Sequence, residues 1–158
     1  MYPSSSAGLN RETDEQVFFF TTAFYPLDNY SAHSINIWNK TFPTAEHAYH
    51  WKKFELEEDI SEKIYHAQSP EIAKQIAGEN KNIIEKRWHD IKRSVMKEIL
   101  TAKMRQHNDV REVLQRSSGR ELIENSPVDS YWGCGKDGNG RNEVGKIWME
   151  IRKDEGII

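Results

Sequence analysis

The chain has 158 residues, of which 37% are apolar, and it carries 22 Lys and Arg against 25 Asp and Glu. This length and composition predict one globular domain. Five Trp, six Tyr and six Phe supply bulk for its core, which excludes disorder of the whole chain. No apolar run approaches the roughly 20 residues of a membrane span, and the start lacks a signal-peptide pattern. We therefore expect a cytoplasmic protein without membrane contact.

A single cysteine and an uneven distribution of charge restrict the chemistry further. Cys134 has no partner for an internal disulfide, and one thiol cannot build a cysteine-rich zinc site. The net charge is −3, but residues 81–105 hold eight basic and three acidic residues, a local excess of +5 that leaves −8 elsewhere. This balance disfavours a protein that coats nucleic acid and still allows a local phosphate site. A solvated helix face with ion pairs explains the same segment.

Secondary-structure signals begin near residue 16. Residues 1–15 lack periodicity, which predicts a flexible tail followed by a single domain over residues 16–158. Apolar and alternating residues predict short strands at 17–22 and 34–38, which we expect to form a small hairpin-like sheet. A run at 121–124 fits either a strand or a turn.

Helical signals dominate the rest of the chain. Capping residues predict helix starts after Thr44, at Asp59 and after Ser69, and Gly78 is expected to end the third helix. Apolar periodicity predicts three more helices. The predicted ranges are about 44–54, 59–68, 70–78, 87–106, 109–116 and 143–153. The fold class is therefore α+β, mainly α-helical, with a small N-terminal β-element and about six helices.

Five of the nine glycines fall between Trp132 and Lys146. Gly133, Gly135 and Gly138 match the spacing G-x-G-x-x-G, but no buried strand or βαβ unit surrounds them. A phosphate loop lacks its metal-binding Ser or Thr here, and an EF-hand has a basic residue at a ligand position. What remains is a flexible polar loop, which either brings backbone N–H groups to a phosphate or sugar or is a plain connection.

The helix predicted near residue 50 carries three polar side chains on one face. Glu46, His50 and Lys53 lie at i, i+4 and i+7, so a carboxylate, an imidazole and an amine are neighbours. Aromatic residues in the same segment favour a covered helix whose polar face lines a cleft, although a surface ion-pair stripe has the same pattern. His47 and His50 have the i, i+3 spacing of metal ligands, but no third ligand is evident. We therefore expect no metal site.

Two motifs occur in order along the chain. Glu-His-x-x-x-x-x-Lys-Phe spans residues 46–54, and Asp-x-x-Trp-Gly-x-Gly spans residues 129–135. Together with residues 88–96 and with Asn142, Gly145, Met149 and Arg152, they resemble the NADAR superfamily, the YbiA-like N-glycosidases. The resemblance covers roughly residues 18–153. It implies a hydrolase that cleaves the N-glycosidic bond between ribose and a base, and we expect no cofactor.

The resemblance also implies a nucleotide-like small-molecule substrate. The two candidates are phosphorylated intermediates of riboflavin biosynthesis and ADP-ribose attached to a nucleobase such as guanine, and the second would make modified nucleic acid a partner. Two positions depart from the family pattern. Asp28-Asn29-Tyr30 replaces a Ser-Asn-Phe loop, and His50 replaces a Gln three positions before Lys53. Because loops and pocket walls select the base, these changes bear on substrate identity more than on the reaction.

The chemistry of the reaction indicates roles for three residues. Breaking a C1′–N bond builds positive charge on the ribose, so Glu46 is the first candidate for a carboxylate that stabilises this charge or activates water. Asp129 is the second carboxylate, which we expect to meet Glu46 around one sugar ring and to grip ribose hydroxyls or act with Glu46. Lys53 either binds a phosphate or hydroxyl or, if burial lowers its pKa, attacks the opened sugar as an amine.

Further residues are predicted to bind the substrate. Trp132 offers a flat face on which a base can stack, and its alternative role is that of a core residue. The predicted substrate-binding set is Asn29, His47, His50, Trp132, Gly133, Gly135 and Asn142.

Two rival functions come from other classes. The first is a module that binds NAD or ADP-ribose without cleaving it. The second is a nucleic-acid binder that uses residues 81–105, for which affinity for plain DNA would fall steeply with salt.

Overall fold

The computed structural model describes residues 11–19 and 24–157. Within these residues the protein is α+β and mainly helical, which confirms the predicted fold class. The chain divides into a central unit, residues 29–106, and a terminal unit made of the described parts of residues 1–28 and 107–158. The single domain expected over residues 16–158 stays a prediction. No helix in the described ranges is both long and apolar enough to cross a membrane.

Strands and helices are numbered in chain order. The strands are β1 (Arg11–Glu12), β2 (Gln16–Phe19), β3 (Ile35–Ile37), β4 (Lys40–Phe42) and β5 (Glu121–Glu124). The helices are α1 (Ala45–Lys53), α2 (Glu58–Tyr65), α3 (Pro70–Glu79), α4 (Trp88–Gln106), α5 (Asn108–Arg116) and α6 (Glu143–Asp154), and short 3₁₀ turns span Tyr25–Leu27 and Lys81–Ile83.

The central unit begins with the antiparallel hairpin of β3 and β4, in which Ile35 faces Phe42. Trp38 and Asn39 form its turn with φ of 53° and 58°, the left-handed geometry of a two-residue type I′ turn. The predicted strand 34–38 is therefore wrong at Trp38, where the chain reverses. Trp38 Nε1 donates to Glu98 Oε1 at 3.0 Å, and its ring stacks 6.0 Å from that of Trp51.

Helix starts in the central unit follow their capping residues in two cases of three. The side chains of Thr44 and Ser69 each accept a hydrogen bond from the backbone N–H three residues on, as predicted. The capping box at Asp59 is wrong, since α2 begins one residue earlier and has no side-chain cap. Gly78 does not end α3, which continues for one further residue.

The core of the central unit joins all four of its helices. One buried cluster consists of Phe54, Ile64, Ala73 and Ala77. Along α4, the apolar side chains of Trp88, Val95 and Ile99 are buried. These contacts hold α1 between α2, α3 and α4, so polar groups on α1 are shielded from water.

In the terminal unit, β2 lies between β1, which is antiparallel to it, and β5, which is parallel to it. Residues 121–124, for which the sequence left a strand or a turn open, thus form a strand. The expected pairing of the segments at 17–22 and 34–38 is wrong, because β2 and β3 belong to different sheets. Strand β1 lies inside the stretch predicted as a tail, whereas residues 20–22 of the first predicted strand lie outside the described residues.

Helix α6 packs against β5 through the side chains predicted from its periodicity. Val144, Ile147, Trp148 and Ile151 are all buried. Gly145 makes the close approach of the two elements possible, since a Cβ there would lie 2.1 Å from the Leu122 carbonyl oxygen. Any side chain at this position forces α6 away from the strand.

A pair of glycine substitutions tests this packing. We expect Gly145→Ala to lower the free energy of unfolding by about 1–3 kcal/mol or more, the usual effect of overpacking. Gly78→Ala is the matched control, because its Cβ would meet nothing within 4 Å. Within α3 it should raise the free energy of unfolding by about 0.5–1 kcal/mol. Urea unfolding followed by circular dichroism measures both, and equal effects would contradict the packing described for α6.

Candidate active site

A buried carboxylate–imidazole pair forms the centre of the candidate site. Glu46 Oε1 lies 2.7 Å from His50 Nε2, and the two residues are only 8% and 6% exposed. A carboxylate oxygen can only accept, so His50 Nε2 carries the proton. The helical spacing of four residues that predicted the pairing produces it in the first two turns of α1.

Glu46 stays ionised in spite of its burial. Desolvation raises the pKa of its carboxyl, but the hydrogen bond and charge of His50 and the charges of Lys74 and Lys53 outweigh this effect and lower the pKa below its ordinary value. The site therefore contains a carboxylate with negative charge across the neutral pH range.

Two buried polar atoms next to this pair lack protein partners. The backbone carbonyl oxygen of Asn29 accepts a hydrogen bond from the backbone N–H of Glu46 at 3.1 Å. The side-chain Nδ2 of Asn29 donates to Met96 Sδ at 3.7 Å. Its Oδ1 has no hydrogen-bond partner among the described residues, and the same is true of His50 Nδ1. Since buried polar atoms are almost always paired, Asn29 Oδ1 and His50 Nδ1 are positions where a bound molecule can form hydrogen bonds.

His47 is held entirely by the protein. Its Nε2 donates to the carbonyl oxygen of Ala67 at 2.9 Å, which leaves Nδ1 to accept the hydroxyl proton of Thr44 at 2.8 Å. Burial lowers the pKa of His47, so the ring is neutral. Both ring nitrogens of His47 are therefore bonded within the protein, and neither is available for the predicted substrate contact. These bonds fix the start of α1.

Lys53 ends α1 as a partly buried amine. Its Nζ lies 4.9 Å from the centre of the Tyr49 ring. Desolvation lowers the pKa of Lys53 to about 8, with a further contribution from Lys92 and an opposing one from Glu46. The condition attached to the amine role, a pKa lowered by burial, is met.

A cleft of about 170 Å³ adjoins Lys53. Its lining includes Arg87, Trp88 and Ile91 as well as Lys53, but neither Glu46 nor His50. The volume is comparable with the roughly 150 Å³ cavity that accommodates a benzene ring. The indole Nε1 of Trp88 is buried and has no partner in the described part of the chain. Helical periodicity gives no signal for the position of Trp88 at a cleft.

In the terminal unit, Asp129 organises its own loop. Its Oδ1 accepts the backbone N–H groups of Tyr131 and Trp132 at 2.9 and 2.7 Å. Trp132 is half-buried, and its ring meets that of Tyr131 edge-on with centres 4.6 Å apart. Asp129 therefore shapes the Trp132 loop, and its predicted grip on ribose hydroxyls stays a prediction.

The glycine-rich loop does not offer the first turn of α6 to an anion. Four successive backbone N–H groups at its start donate to carbonyl oxygens of the preceding loop. The donors are Arg141, Asn142, Glu143 and Val144, and the acceptors are Ser130, Gly133, Tyr131 and Trp132 respectively. The predicted cradle for a phosphate is therefore wrong at this helix start, where none of these four N–H groups is free.

Three residues predicted to bind substrate hold this loop together. A Cβ on Gly133 would lie 2.7 Å from a backbone oxygen of β5, and Gly135 has a left-handed φ of 72°. The Asn142 amide bridges to β5, where it accepts the Glu124 N–H and donates to the Leu122 carbonyl oxygen, both at 2.9 Å. Their substrate contacts stay predictions, and their structural contacts explain why these residue types occur here.

The predicted site residues fall into two groups. The central unit contains Asn29, Glu46, His47, His50 and Lys53, and the terminal unit contains Asp129, Trp132, Gly133, Gly135 and Asn142. The expected meeting of Glu46 and Asp129 around one sugar stays a prediction.

A comparison with protein families identifies the chain. The model of the NADAR domain matches residues 10–154, nearly the whole sequence. The chain belongs to the NADAR domain family. This confirms the resemblance based on the two motifs.

Several relatives of this NADAR protein carry names that state a function. N-glycosidase YbiA of Escherichia coli is 33% identical over 146 residues, which cover 91% of each chain. An N-glycosidase of Nostoc punctiforme is 36% identical over 81% of this chain and 83% of its own. A riboflavin biosynthesis protein of Vibrio vulnificus is 33% identical over 90% of this chain, which corresponds to 37% of the longer protein. The NMR structure of Escherichia coli YbiA aligns with a TM-score of 0.83 at 32% identity, covering 94% of this chain and 89% of that one.

The environment of His47 predicts a pH dependence of stability in this NADAR protein. Its folded-state pKa is below the ordinary 6.5, so below about pH 6.5 the unfolded chain binds a proton that the native ring does not. Stability therefore falls as the pH drops from 6.5 toward the folded-state pKa. We expect His47→Gln, whose amide can still donate to Ala67, to reduce this fall.

Urea unfolding at pH 7.5 and 5.5 measures the effect as the difference between the two free energies. His89→Gln is the control, since His89 is exposed on α4 and should leave that difference unchanged. An equal pH-dependent loss in wild type and His47→Gln would contradict the neutral, doubly bonded ring.

Proposed function

We propose that this protein hydrolyses the bond between ribose and a nitrogenous base in a phosphorylated ribosyl or ADP-ribosyl compound, with Glu46 as the principal catalytic carboxylate. The observation that carries the proposal is the buried, ionised Glu46 flanked by two unpaired polar atoms, Asn29 Oδ1 and His50 Nδ1. Buried polar atoms are almost always paired, so two unpaired atoms in this region are explained by a ligand that completes their hydrogen bonds.

The enzyme class is supported by relatives of similar length. Two of them, from Escherichia coli and Nostoc punctiforme, are named N-glycosidases and align over more than four-fifths of both chains. The protein is a hydrolase that acts on N-glycosyl compounds.

Glu46 suits the electrostatic demand of this reaction. Cleavage of C1′–N leaves positive charge shared between C1′ and the ring oxygen of ribose. A carboxylate that is already ionised and fixed by His50 stabilises this charge without reorganisation, and its effect is strong because the surroundings exclude water. Asn29 Oδ1 can accept a ribose hydroxyl, which would orient the sugar.

Of the two roles considered for Lys53, its environment favours the amine nucleophile. The free amine attacks C1′, a C–N bond to Lys53 forms, and the bond to the base breaks with a proton passing to the base. The ring C1′–O bond of the resulting glycosylamine then breaks to give an imine, as the proton on the Lys53 nitrogen passes to the ring oxygen. Water hydrolyses this imine and regenerates the amine, so the net reaction consumes one water. The pKa of about 8 makes the free amine accessible near neutral pH.

The substrate is proposed from the names of relatives. Riboflavin biosynthesis proteins of Vibrio vulnificus and Zea mays contain a region like this chain, at 33% and 30% identity. They favour phosphorylated intermediates of that pathway as substrates. ADP-ribosylated guanine is the second candidate, which would make modified nucleic acid a partner. In either case Trp132 would stack on the base and Asp129 would contact the ribose.

Substitution of Glu46 tests the central assignment. We expect Glu46→Gln to reduce kcat by about 10³-fold or more, because the neutral amide cannot stabilise a positive sugar. Mass spectrometry of released base, after incubation with riboflavin-pathway intermediates and with ADP-ribosylated guanine DNA, is the measurement. Glu112→Gln is the matched control at an exposed position of α5 and should leave the rate unchanged.

Two results would contradict this assignment. Near-normal hydrolysis by Glu46→Gln removes Glu46 from the mechanism. Binding of ADP-ribose by wild type with no release of base from any of these substrates identifies a binding module instead of an enzyme.

Lys53 is tested through its covalent chemistry. We expect wild-type protein incubated with ribose 5-phosphate and cyanoborohydride to carry a reduced adduct on Lys53, and the yield to rise with pH until about 8 and then level off. The rise reflects the growing fraction of free amine below the pKa. Peptide mass spectrometry locates the adduct.

Lys53→Arg should lose both the adduct and turnover, because Arg retains the positive charge but cannot form an imine. Lys63→Arg, an exposed substitution on α2, should retain both. Full activity of Lys53→Arg without any adduct in wild type would assign Lys53 to substrate binding.

A further inference from the structure

The two nitrogens of His50 lie in opposite situations. Nε2 donates to Glu46 Oε1 at 2.7 Å, whereas Nδ1 is buried without a partner among the residues that the structure describes. The residue is only 6% exposed, so this nitrogen is shielded from bulk solvent. An imidazole fixed through one nitrogen with the other free is the arrangement that proton-transferring histidines use.

The hydrogen bond to Glu46 fixes the orientation of the His50 ring and leaves Nδ1 as the nitrogen that is free to exchange a proton. An amide side chain could donate to the same carboxylate but could not exchange a proton, whereas an imidazole can do both.

We propose that His50 is a general acid that donates the proton on Nδ1 to the leaving base as the C1′–N bond breaks. This inference rests on the proposed N-glycosidase function and deepens it. It makes His50 a catalytic residue and extends the substrates to bases that leave poorly without protonation.

The proton balance closes within one turnover. The imidazolium of His50 loses its Nδ1 proton to the base nitrogen, which keeps the electron pair of the broken bond. The neutral ring then takes a proton from the water that attacks C1′ or hydrolyses the imine. Base and ribose leave with the hydrogen and hydroxyl of that water, and His50 and Glu46 return to their starting states.

Charged and titratable groups around His50 come from three helices. On α1 they are Glu46, the neutral His47 and Lys53. Lys74 on α3 acts on Glu46, and Lys92 on α4 acts on Lys53. Glu46 provides the only direct hydrogen bond to the imidazole among the described residues, so it fixes the orientation of the ring.

The test compares leaving bases of different basicity. A series of analogues of the accepted substrate, with the same ribose phosphate and increasingly electron-poor bases, is hydrolysed by wild type, His50→Gln and His50→Asn. For the most basic leaving group we expect a kcat loss of about 100-fold in His50→Gln. The loss should shrink to a few-fold for the most electron-poor base, which leaves without a proton.

The two variants separate proton transfer from simple hydrogen bonding. Gln can retain the contact with Glu46, while Asn keeps a polar group near the position of Nδ1. If His50 donates a proton, both variants show the same dependence on leaving group. Circular dichroism and urea unfolding confirm that each variant is folded.

Three outcomes would overturn the inference. A loss of equal size for every leaving base assigns His50 to positioning. Wild-type activity in His50→Asn assigns it to a neutral hydrogen bond. Absence of base release by the wild type rejects the proposed function and this inference with it, whereas the first two outcomes leave the proposed function intact.

Discussion

The structure of the site depends on one constraint: a carboxylate buried in a helical core must keep its charge. Removing Glu46 from water without compensation would neutralise it. His50 on the next turn and the positive charges of Lys74 and Lys53 prevent this. Packing of α1 against three helices excludes water, so the charges around Glu46 interact with one another at low dielectric. Stability and chemistry therefore make opposing demands on the same short helix.

Part of this arrangement could be predicted from residue spacing alone. Helical periodicity brought Glu46, His50 and Lys53 onto one face, and Thr44 marked the helix start, because both signals are local and follow from helix geometry. Hydrogen bonds of His47 could not be predicted, since its partner Ala67 lies 20 residues away. The cleft beside Trp88 also depends on tertiary packing, which periodicity does not describe.

The glycine-rich segment shows how a composition signal can have a structural cause. Clustered glycines and a helix start suggested an anion site, yet the first N–H groups of α6 are satisfied by the loop itself. Gly133 and Gly145 are required because backbone atoms of β5 lie within van der Waals distance of where their Cβ atoms would be. Motif spacing alone cannot distinguish close backbone packing from ligand binding, since both demand a residue without a side chain.

The turn at Trp38 and Asn39 has a consequence for the order in which the central unit assembles. A bulky indole with φ of 53° is unfavourable in an isolated hairpin, where Asn-Gly would be preferred. Its ring meets that of Phe42 edge-on within the hairpin, and its further contacts are with Trp51 on α1 and Glu98 on α4, the latter 60 residues away. The isolated hairpin is therefore expected to be unstable until those helices have docked. Refolding should show helix formation first and the β3–β4 turn as a late event in the kinetic pathway.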